Sequence, residues 1–176
     1  MEIAIFGGGC FWCTEAIFKR VRGVESVTSG YAGGKMDHPG FLKIVMGDMD
    51  HAEVIKIEFE PKVISYEELL DIFWHVHDPT TLNRQSYDVG TQYRSIILYT
   101  TKEQKKKAEE SLKKISESGE YMDPIVTQIQ ELDKFYDAED YHKNFYDNNP
   151  DKPYCQLVIQ PKLDKFLEKY ADKVKD

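Results

Sequence analysis

The alternation of apolar and polar positions divides the 176-residue chain into elements before any chemistry is considered. Glu2-Ile3-Ala4-Ile5-Phe6 is a short apolar run and reads as a buried strand, and Thr14 to Val21 places Ile17, Phe18 and Val21 on one helical face. Val24 to Tyr31 is a second strand. Gly30, Gly33, Gly34, Pro39 and Gly40 then make residues 32–52 a long irregular connection, of a length that usually carries function. Glu53 to Glu60 alternates cleanly, with Ile55, Ile57 and Phe59 on one face, until Pro61 stops it. Ser65 and Glu68 have capping-box spacing and open a helix marked by Leu69, Leu70, Phe73 and Val76, ending near His77. A second polar loop runs from Asp78 to Gln92, and Arg94 to Tyr99 is a strand. Thr101 to Gln104 can cap a charged helix reaching about Ser118, whose lysines and glutamates read as a solvated face. Short strands at Ile125 to Ile129 and Leu157 to Ile159 flank an aromatic-rich helix at Asp137 to Tyr146, which Asn148 to Pro153 breaks. Leu163, Phe166, Leu167 and Tyr170 mark a final helix. The elements mix without regular alternation, so the expected class is α+β. No repeat, low-complexity tract or boundary interrupts residues 1–176, which read as a single domain long enough for a proper core.

Composition narrows the partners. A net charge of -8 supplies solubility and argues against a nucleic-acid surface, which needs a basic stripe. No apolar run approaches the roughly 20 residues of a membrane span. Met1-Glu2 begins neither a basic nor an apolar leader, so no export signal is visible and a cytoplasmic protein is expected. Three cysteines, two of them three residues apart, suit a reducing compartment and redox or metal chemistry better than a disulfide framework.

The chemistry gathers around Gly7-Gly8-Gly9-Cys10-Phe11-Trp12-Cys13. The glycines allow a sharp turn and leave N–H groups unshielded. Cys10 would then face the unpaired amides at a helix start, which stabilise a thiolate. Phe11 and Trp12 can wall an apolar pocket. A free cysteine at a strand end is also commonly a small buried hydrophobe, a reading the glycines, aromatics and second cysteine weaken. Cys10 and Cys13 form a C-x-x-C pair within disulfide reach, a pattern shared by thiol–disulfide enzymes and zinc sites. Zinc would need two more ligands. His75 and His77 are nearest in kind, but no spacing ties them to the cysteines, and His75 is more simply a packed or surface histidine. If the strand register runs through Ile55, Glu53 points inward, where an apolar site raises its pKa and lets it act as an acid near neutrality; a surface glutamate at a strand end is the commoner case. Tyr93 can donate a hydrogen bond to an oxygen, or simply pack in the core.

Taken in order, Gly-Gly-Cys10-Phe11-Trp12, Gly30-Tyr31-Ala32-Gly33-Gly34 and His51-Ala52-Glu53-Val54 resemble peptide methionine sulfoxide reductase A. His77-Asp78-Pro79-Thr80, Asn83-Arg84-Gln85 and Asp88 to Ser95 continue the match, as do Ala138 to His142, Asn149-Pro150 and Tyr154-Cys155. The ordered set runs from residue 7 to about 162 and is far more specific than any one block. The resemblance implies a ferredoxin-like core, a mixed or antiparallel sheet with helices packed on it and long irregular loops. It implies reduction of the S epimer of methionine sulfoxide with no cofactor and no metal. It assigns the nucleophile to Cys10, the methyl-binding aromatics to Phe11 and Trp12, and the proton donor to Glu53, supported by Tyr93 and Asp88. In one place the chain departs from the family, which usually has Asn-Pro-Thr-Tyr in the first long loop. His38-Pro39-Gly40-Phe41 stands there, so Phe41 keeps the ring and loses the hydroxyl that helps hold the sulfoxide oxygen.

Sulfoxide reduction needs a thiolate, an acid aimed at oxygen and a small apolar wall, which Cys10, Glu53 and the Phe11–Trp12 pair supply. Cys10 would become a sulfenic acid, condense with a second thiol and be released by thioredoxin. Many family members recycle through a cysteine in a mobile tail, and Cys155 holds the matching position. Gln156 to Ile159 reads as a strand that would pin it, so Cys13, one helical turn from Cys10, is favoured, with a relay through both left open. A general thiol–disulfide oxidoreductase and a non-enzymatic zinc module remain as competing readings.

Overall fold

The computed structural model describes residues 1–35 and 50–176; Phe41 and most of the connection from 32 to 52 lie outside the described residues. In chain order the elements are β1 (Glu2–Gly7), α1 (Phe11–Phe18), β2 (Val24–Ala32), β3 (Ala52–Phe59), α2 (Tyr66–His75), β4 (Arg84–Gln85), β5 (Asp88–Val89), β6 (Ile96–Tyr99), α3 (Lys102–Glu117), β7 (Gln128–Glu131), β8 (Phe135–Asp137), α4 (Phe145–Asn148) and α5 (Gln160–Lys169). One sheet runs β7-β6-β1-β3-β2-β8. Its inner four strands, β6-β1-β3-β2, are antiparallel throughout and, with α1 and α2 as crossovers, form the ferredoxin-like core expected from the sequence. β7 extends it in parallel with β6, and β8 pairs antiparallel with β2, so the sheet is mixed.

Strand alternation decides the layers. Phe6 of β1, Ile55, Ile57 and Phe59 of β3 and Ile97 of β6 face the main core, with Phe11, Ile17 and Phe18 of α1 and Leu69, Leu70 and Phe73 of α2. Ile5, Val54, Ile96 and Leu98 point to the other face, where Leu132 and Phe135 pack against them. Both expected caps form: Ser65 Oγ accepts the Glu68 N–H at 3.0 Å, and Thr101 Oγ1 accepts the Gln104 N–H at 3.1 Å.

Five elements differ from the sequence reading; one is the strand expected at Ile125 to Ile129, which instead spans Gln128–Glu131. The first helix begins at Phe11, not Thr14, because Cys10 itself takes the capping position with extended backbone (φ -63°, ψ 129°). The second polar loop contains the two-residue strands β4 and β5, paired Arg84 to Val89 and Gln85 to Asp88. Residues 137–146 do not form one helix. Asp137 ends β8, a single 3₁₀ turn covers Asp140–His142, and Asn144 in the left-handed region (φ 54°) forces a break before α4. Residues 157–159 are not a strand. Cys155–Ile159 is a π-helical stretch running straight into α5, because the buried positions are Cys155, Ile159, Leu163 and Phe166, a helical spacing, while Leu157 is 77% exposed. Pro161 has no N–H to give to the preceding turn, and the wider π turn sits where that bond would fall.

Gly9 and Gly30 are among the glycines that close approach demands. Gly9 has φ +90°, and a Cβ there would sit 2.7 Å from Gln85 Cγ. A Cβ on Gly30 would lie 2.3 Å from Phe135 Cζ and 2.4 Å from the Tyr136 carbonyl oxygen. Gly30→Ala should therefore detach β8 from β2 and cost roughly 3 kcal/mol, read as a lowered denaturant midpoint; a midpoint within experimental error of the parent would show that the two strands do not need this contact.

Candidate active site

The site forms where β1 ends beside the start of β3. Antiparallel pairing sets Phe6 against Ile55, so Gly7 and the turn into α1 arrive beside Glu53. Glu53 shares the helix-side face with Ile55 and Ile57 and is 2% exposed, so its carboxyl points inward. Its Oε1 accepts the backbone N–H of Phe11 at 3.2 Å, one of the first-turn amides that a helix start leaves unpaired. Burial pushes its pKa up to about 8; the Phe11 amide opposes that rise, and the Asp88 and Glu139 carboxylates add to it. At neutral pH Glu53 therefore holds a proton. Directly across β2–β3, Tyr31 pairs with Glu53 and donates its hydroxyl to Glu139 at 3.2 and 3.3 Å.

Cys10 is half-buried at the N-terminus of α1. The expected drop in its thiol pKa does not occur. Burial pushes the thiol well up, and the charges on Glu53 and Cys13 add to it; the Trp12 amide and the Tyr154 hydroxyl pull the other way without prevailing. Desolvation outweighs the helix terminus because the sulfur faces protein rather than water. The resting site is a neutral thiol beside a neutral carboxyl.

Two aromatics follow. Phe11 is buried against Tyr31 and His142, with ring centroids 5.6 and 5.0 Å apart. Trp12 stays partly exposed, stacked on Phe145 at 3.7 Å and 6°, with Tyr154 edge-on at 5.6 Å. The indole N–H donates to His142 Nδ1 at 3.0 Å, which leaves the ring proton of neutral His142 on Nε2, 3.4 Å from Glu139 Oε2. Burial lowers the pKa of His142, and Glu139 offsets part of that. α1 also grips the chain beyond His142. Lys19 and Arg20 pair with Asp147, and buried Glu15 faces the amides of Asn144 and Phe145 while accepting from Ser29 Oγ at 3.4 Å.

Tyr93 is half-buried; burial raises its hydroxyl pKa, and the charges of Glu53, Cys10 and Asp88 reinforce the rise, so all four belong to one neighbourhood. Asp88, on β5, accepts the Tyr154 hydroxyl at 2.6 Å. Tyr154 in turn lies 3.9 Å from Cys13 Sγ. Burial pushes the Cys13 thiol up to about 11 against the pull of Lys162, and Cys155, fully buried on the π-helical stretch, is raised by burial as well. Arg94 fastens both ends of the first long connection, donating to the Gly33 carbonyl at 3.3 Å and the Asp50 carbonyl at 2.8 Å. The two histidines weighed as zinc ligands are engaged elsewhere. His77 bonds the Phe73 carbonyl at 2.6 Å and Ser95 Oγ at 2.7 Å, and His75 bonds the Asp71 carbonyl and Glu120. Among the described residues no group of three or more His, Cys, Asp or Glu is set to hold a metal.

Cys10, Cys13, Phe11, Trp12, Glu53, Tyr93 and Asp88 thus come together, while Phe41 falls outside the described residues. Sequence reasoning missed Tyr154, His142, Glu139 and Arg94 as individual contributors. Each sat inside a quoted motif, yet only the fold shows what its polar atom meets.

A cysteine at a helix start, backed by a protonated buried carboxyl and an aromatic wall, defines a thiol-based oxidoreductase site. Comparisons with known proteins agree. A family model described as peptide methionine sulfoxide reductase matches residues 2–175. The peptide methionine sulfoxide reductase MsrA of Sulfolobus acidocaldarius is 54% identical over 174 residues, covering 98% of this chain and 97% of its own. The crystal structure of Mxr1 from Saccharomyces cerevisiae in reduced form superposes with a TM-score of 0.79 at 34% identity, over 88% of each chain. Mxr1 in complex with Trx2 is similar at a TM-score of 0.56 and 26% identity, over 82% of this chain and 84% of that one. The chain belongs to the peptide methionine sulfoxide reductase family, a family of oxidoreductases.

The Glu53 carboxyl carries a stability consequence. Its folded pKa is raised, so its contribution to stability is fully present below about 4.5 and is lost as pH rises through about 8. Glu53→Gln removes that loss: the variant should gain over the parent progressively from pH 5 to 8 and level off above, by roughly 5 kcal/mol in denaturant titrations. A gain that does not change with pH would mean that Glu53 does not titrate in this range.

Proposed function

We propose that the protein reduces the S epimer of methionine sulfoxide, in oxidised proteins and as the free amino acid, with Cys10 as nucleophile, Glu53 as acid and thioredoxin as the final reductant. The observation that carries the reading is the buried, protonated Glu53 carboxyl bonded to the amide next to Cys10. A zinc module has no use for such a group, and a plain dithiol exchanger, whose leaving groups are sulfurs, needs no acid aimed at a substrate oxygen.

A sulfoxide sulfur becomes electrophilic once its oxygen is protonated. Cys10 sulfur attacks that sulfur as Glu53 gives its proton to the oxygen, and the Cys10 thiol proton returns to Glu53. The oxygen passes from the substrate sulfur to the Cys10 sulfur as the substrate S–O bond and the S–S bond made in the attack both break, so methionine leaves and Cys10 remains as a sulfenic acid. Phe11 and Trp12 receive the methyl group. With no tyrosine hydroxyl at Phe41, the oxygen rests on Glu53 and Tyr93. Burial keeps the acid protonated, and Asp88 adds to that rise. Cys13 then displaces the hydroxyl as water. It stands one turn from Cys10, with its amide bonded to the Cys10 carbonyl at 3.1 Å. Cys155 raises the Cys13 thiol electrostatically, so a relay of the bond from 10–13 to 155 is the second route. A thioredoxin dithiol restores the thiols by exchange, a role supported by the likeness to Mxr1 in complex with Trx2.

Offered both epimers with thioredoxin or dithiothreitol, the protein should turn over the S form alone, and Cys10→Ser should abolish turnover; no turnover of either epimer by the parent sinks the reading. In single turnover the rate of methionine formation should fall as pH rises through about 8, where Glu53 loses its proton, and Glu53→Gln should lower it about a hundredfold. Peptide mapping after one turnover without reductant should find a 10–13 disulfide; a 10–155 bond as the first product would assign the second thiol to Cys155.

A further inference from the structure

Beyond its pull on the Cys10 thiol, Tyr154 has no part in the step that forms methionine as read above. Its hydroxyl lies between Cys13 Sγ at 3.9 Å and Asp88 Oδ2 at 2.6 Å. A phenol has one proton to give. That proton goes to the shorter contact, the Asp88 carboxylate, so towards Cys13 the oxygen can only accept, and the Cys13 S–H must donate. The contacts therefore have a direction, from Cys13 through Tyr154 to Asp88. Tyr154 is held in that position by the Trp12 indole, which meets its ring edge-on at 79°. The hydroxyl also reaches Cys10, so it borders both sulfurs that must join.

The disulfide step has a proton problem that this geometry answers. Cys13 must attack as a thiolate, yet at 2% exposure it is cut off from bulk solvent. We propose that Tyr154 is a catalytic residue of disulfide closure, carrying the Cys13 thiol proton to Asp88 as Cys13 sulfur attacks the Cys10 sulfenic acid. The S–S bond forms as the Cys10 S–O bond breaks. The thiol proton moves to the Tyr154 oxygen while the Tyr154 proton moves to Asp88, so no phenolate is formed. The departing hydroxide takes that proton from Asp88 and leaves as water, so Asp88 ends the step as it began. The sum is one thiol and one sulfenic acid giving one disulfide and one water, with no external oxidant or reductant. The inference rests on the reading of Cys10 and Cys13 given above and extends it to a residue and a step which that reading leaves without a base.

The test separates the two chemical steps. Full-length protein, fully reduced, is mixed with one equivalent of L-methionine-S-sulfoxide, quenched at intervals, and assayed for methionine, for the 10–13 disulfide and for sulfenic acid captured by a cyclic 1,3-diketone. Tyr154→Phe keeps the ring against Trp12 and removes the hydroxyl. It should slow disulfide closure about a hundredfold, and by at least ~10-fold more than it slows methionine formation, so that sulfenic acid accumulates on Cys10. Closure in the parent should vary little near neutrality. In Tyr154→Phe it should climb about tenfold per pH unit towards the Cys13 thiol range near 11, because solvent base must then remove the proton. Asp88→Asn, which keeps the shape and loses the proton acceptor, should slow the same step. Equal slowing of both steps, or closure at the parental rate with the parental pH profile, would overturn the proposal. So would a first disulfide between Cys10 and Cys155 in the parent. A parent that releases no methionine fails at the earlier reading instead, and the two failures are told apart in one time course.

Discussion

A carboxyl group buried against a helix start is the constraint around which this molecule is arranged. Glu53 occupies a strand position that its neighbours Ile55 and Ile57 would fill with an apolar side chain, and a carboxylate there would be strongly disfavoured. The protein resolves the conflict by keeping the proton on and by offering one backbone N–H, that of Phe11. The amide and the helix terminus favour the charged form, burial favours the neutral one, and burial prevails. The same balance acts on Cys10, whose thiol stays neutral for the same reason. The resting site therefore holds both protons, which suits the proposed reaction, whose oxygen must be protonated as its sulfur is attacked.

The ferredoxin-like core makes this conflict geometrically stable. β1 and β3 run antiparallel, so the end of one necessarily lies beside the beginning of the other. The glycine turn after β1 lets α1 start at that point, and Gly9, in a conformation other residues avoid, packs directly on Gln85 of the small hairpin. Gln85 in turn accepts the Asp78 N–H at 3.0 Å, which ties the hairpin to the end of α2 and sets Asp88 in place. On the other side, Glu15, Lys19 and Arg20 of α1 hold residues 144–147, so that Phe145 can lie flat on Trp12. Cys10, Glu53 and the Phe11–Trp12 pair thus share one short helix as a common reference.

Much of this was legible in the chain. The alternation from Glu53 to Glu60 and the two caps at Ser65 and Thr101 have local causes and formed as read, and the last helix formed with Leu163 and Phe166 buried but Leu167 37% exposed. The inward direction of Glu53 followed from the register through Ile55. Elements whose form depends on distant partners were not legible. The π-helical stretch at Cys155–Ile159 has the composition of a strand, and it is helical because its buried side chains must meet α1 and the sheet at helical spacing. The break at Asn144 is a backbone conformation that no pattern encodes. The neutral thiol of Cys10 was misread for a related reason. A helix start can be inferred from sequence, whereas the desolvation that overrides it depends on side chains from other parts of the chain. Tyr154 stayed hidden because its partners, Cys13 and Asp88, are 141 and 66 residues away.

The working groups enter from four separate stretches: the turn after β1, the first residues of β3, the hairpin that follows α2, and the segment before α5. Only complete closure of the sheet brings them within reach of one another. A partly unfolded chain still owns three oxidisable sulfurs, but it has no desolvated acid to set beside them. Oxidants would scar such a chain without its being able to repair anything, so a preparation can contain every thiol by titration and still be a poor catalyst. Competence here is a property of the assembled tertiary structure, and the thiol count alone is a misleading gauge of it.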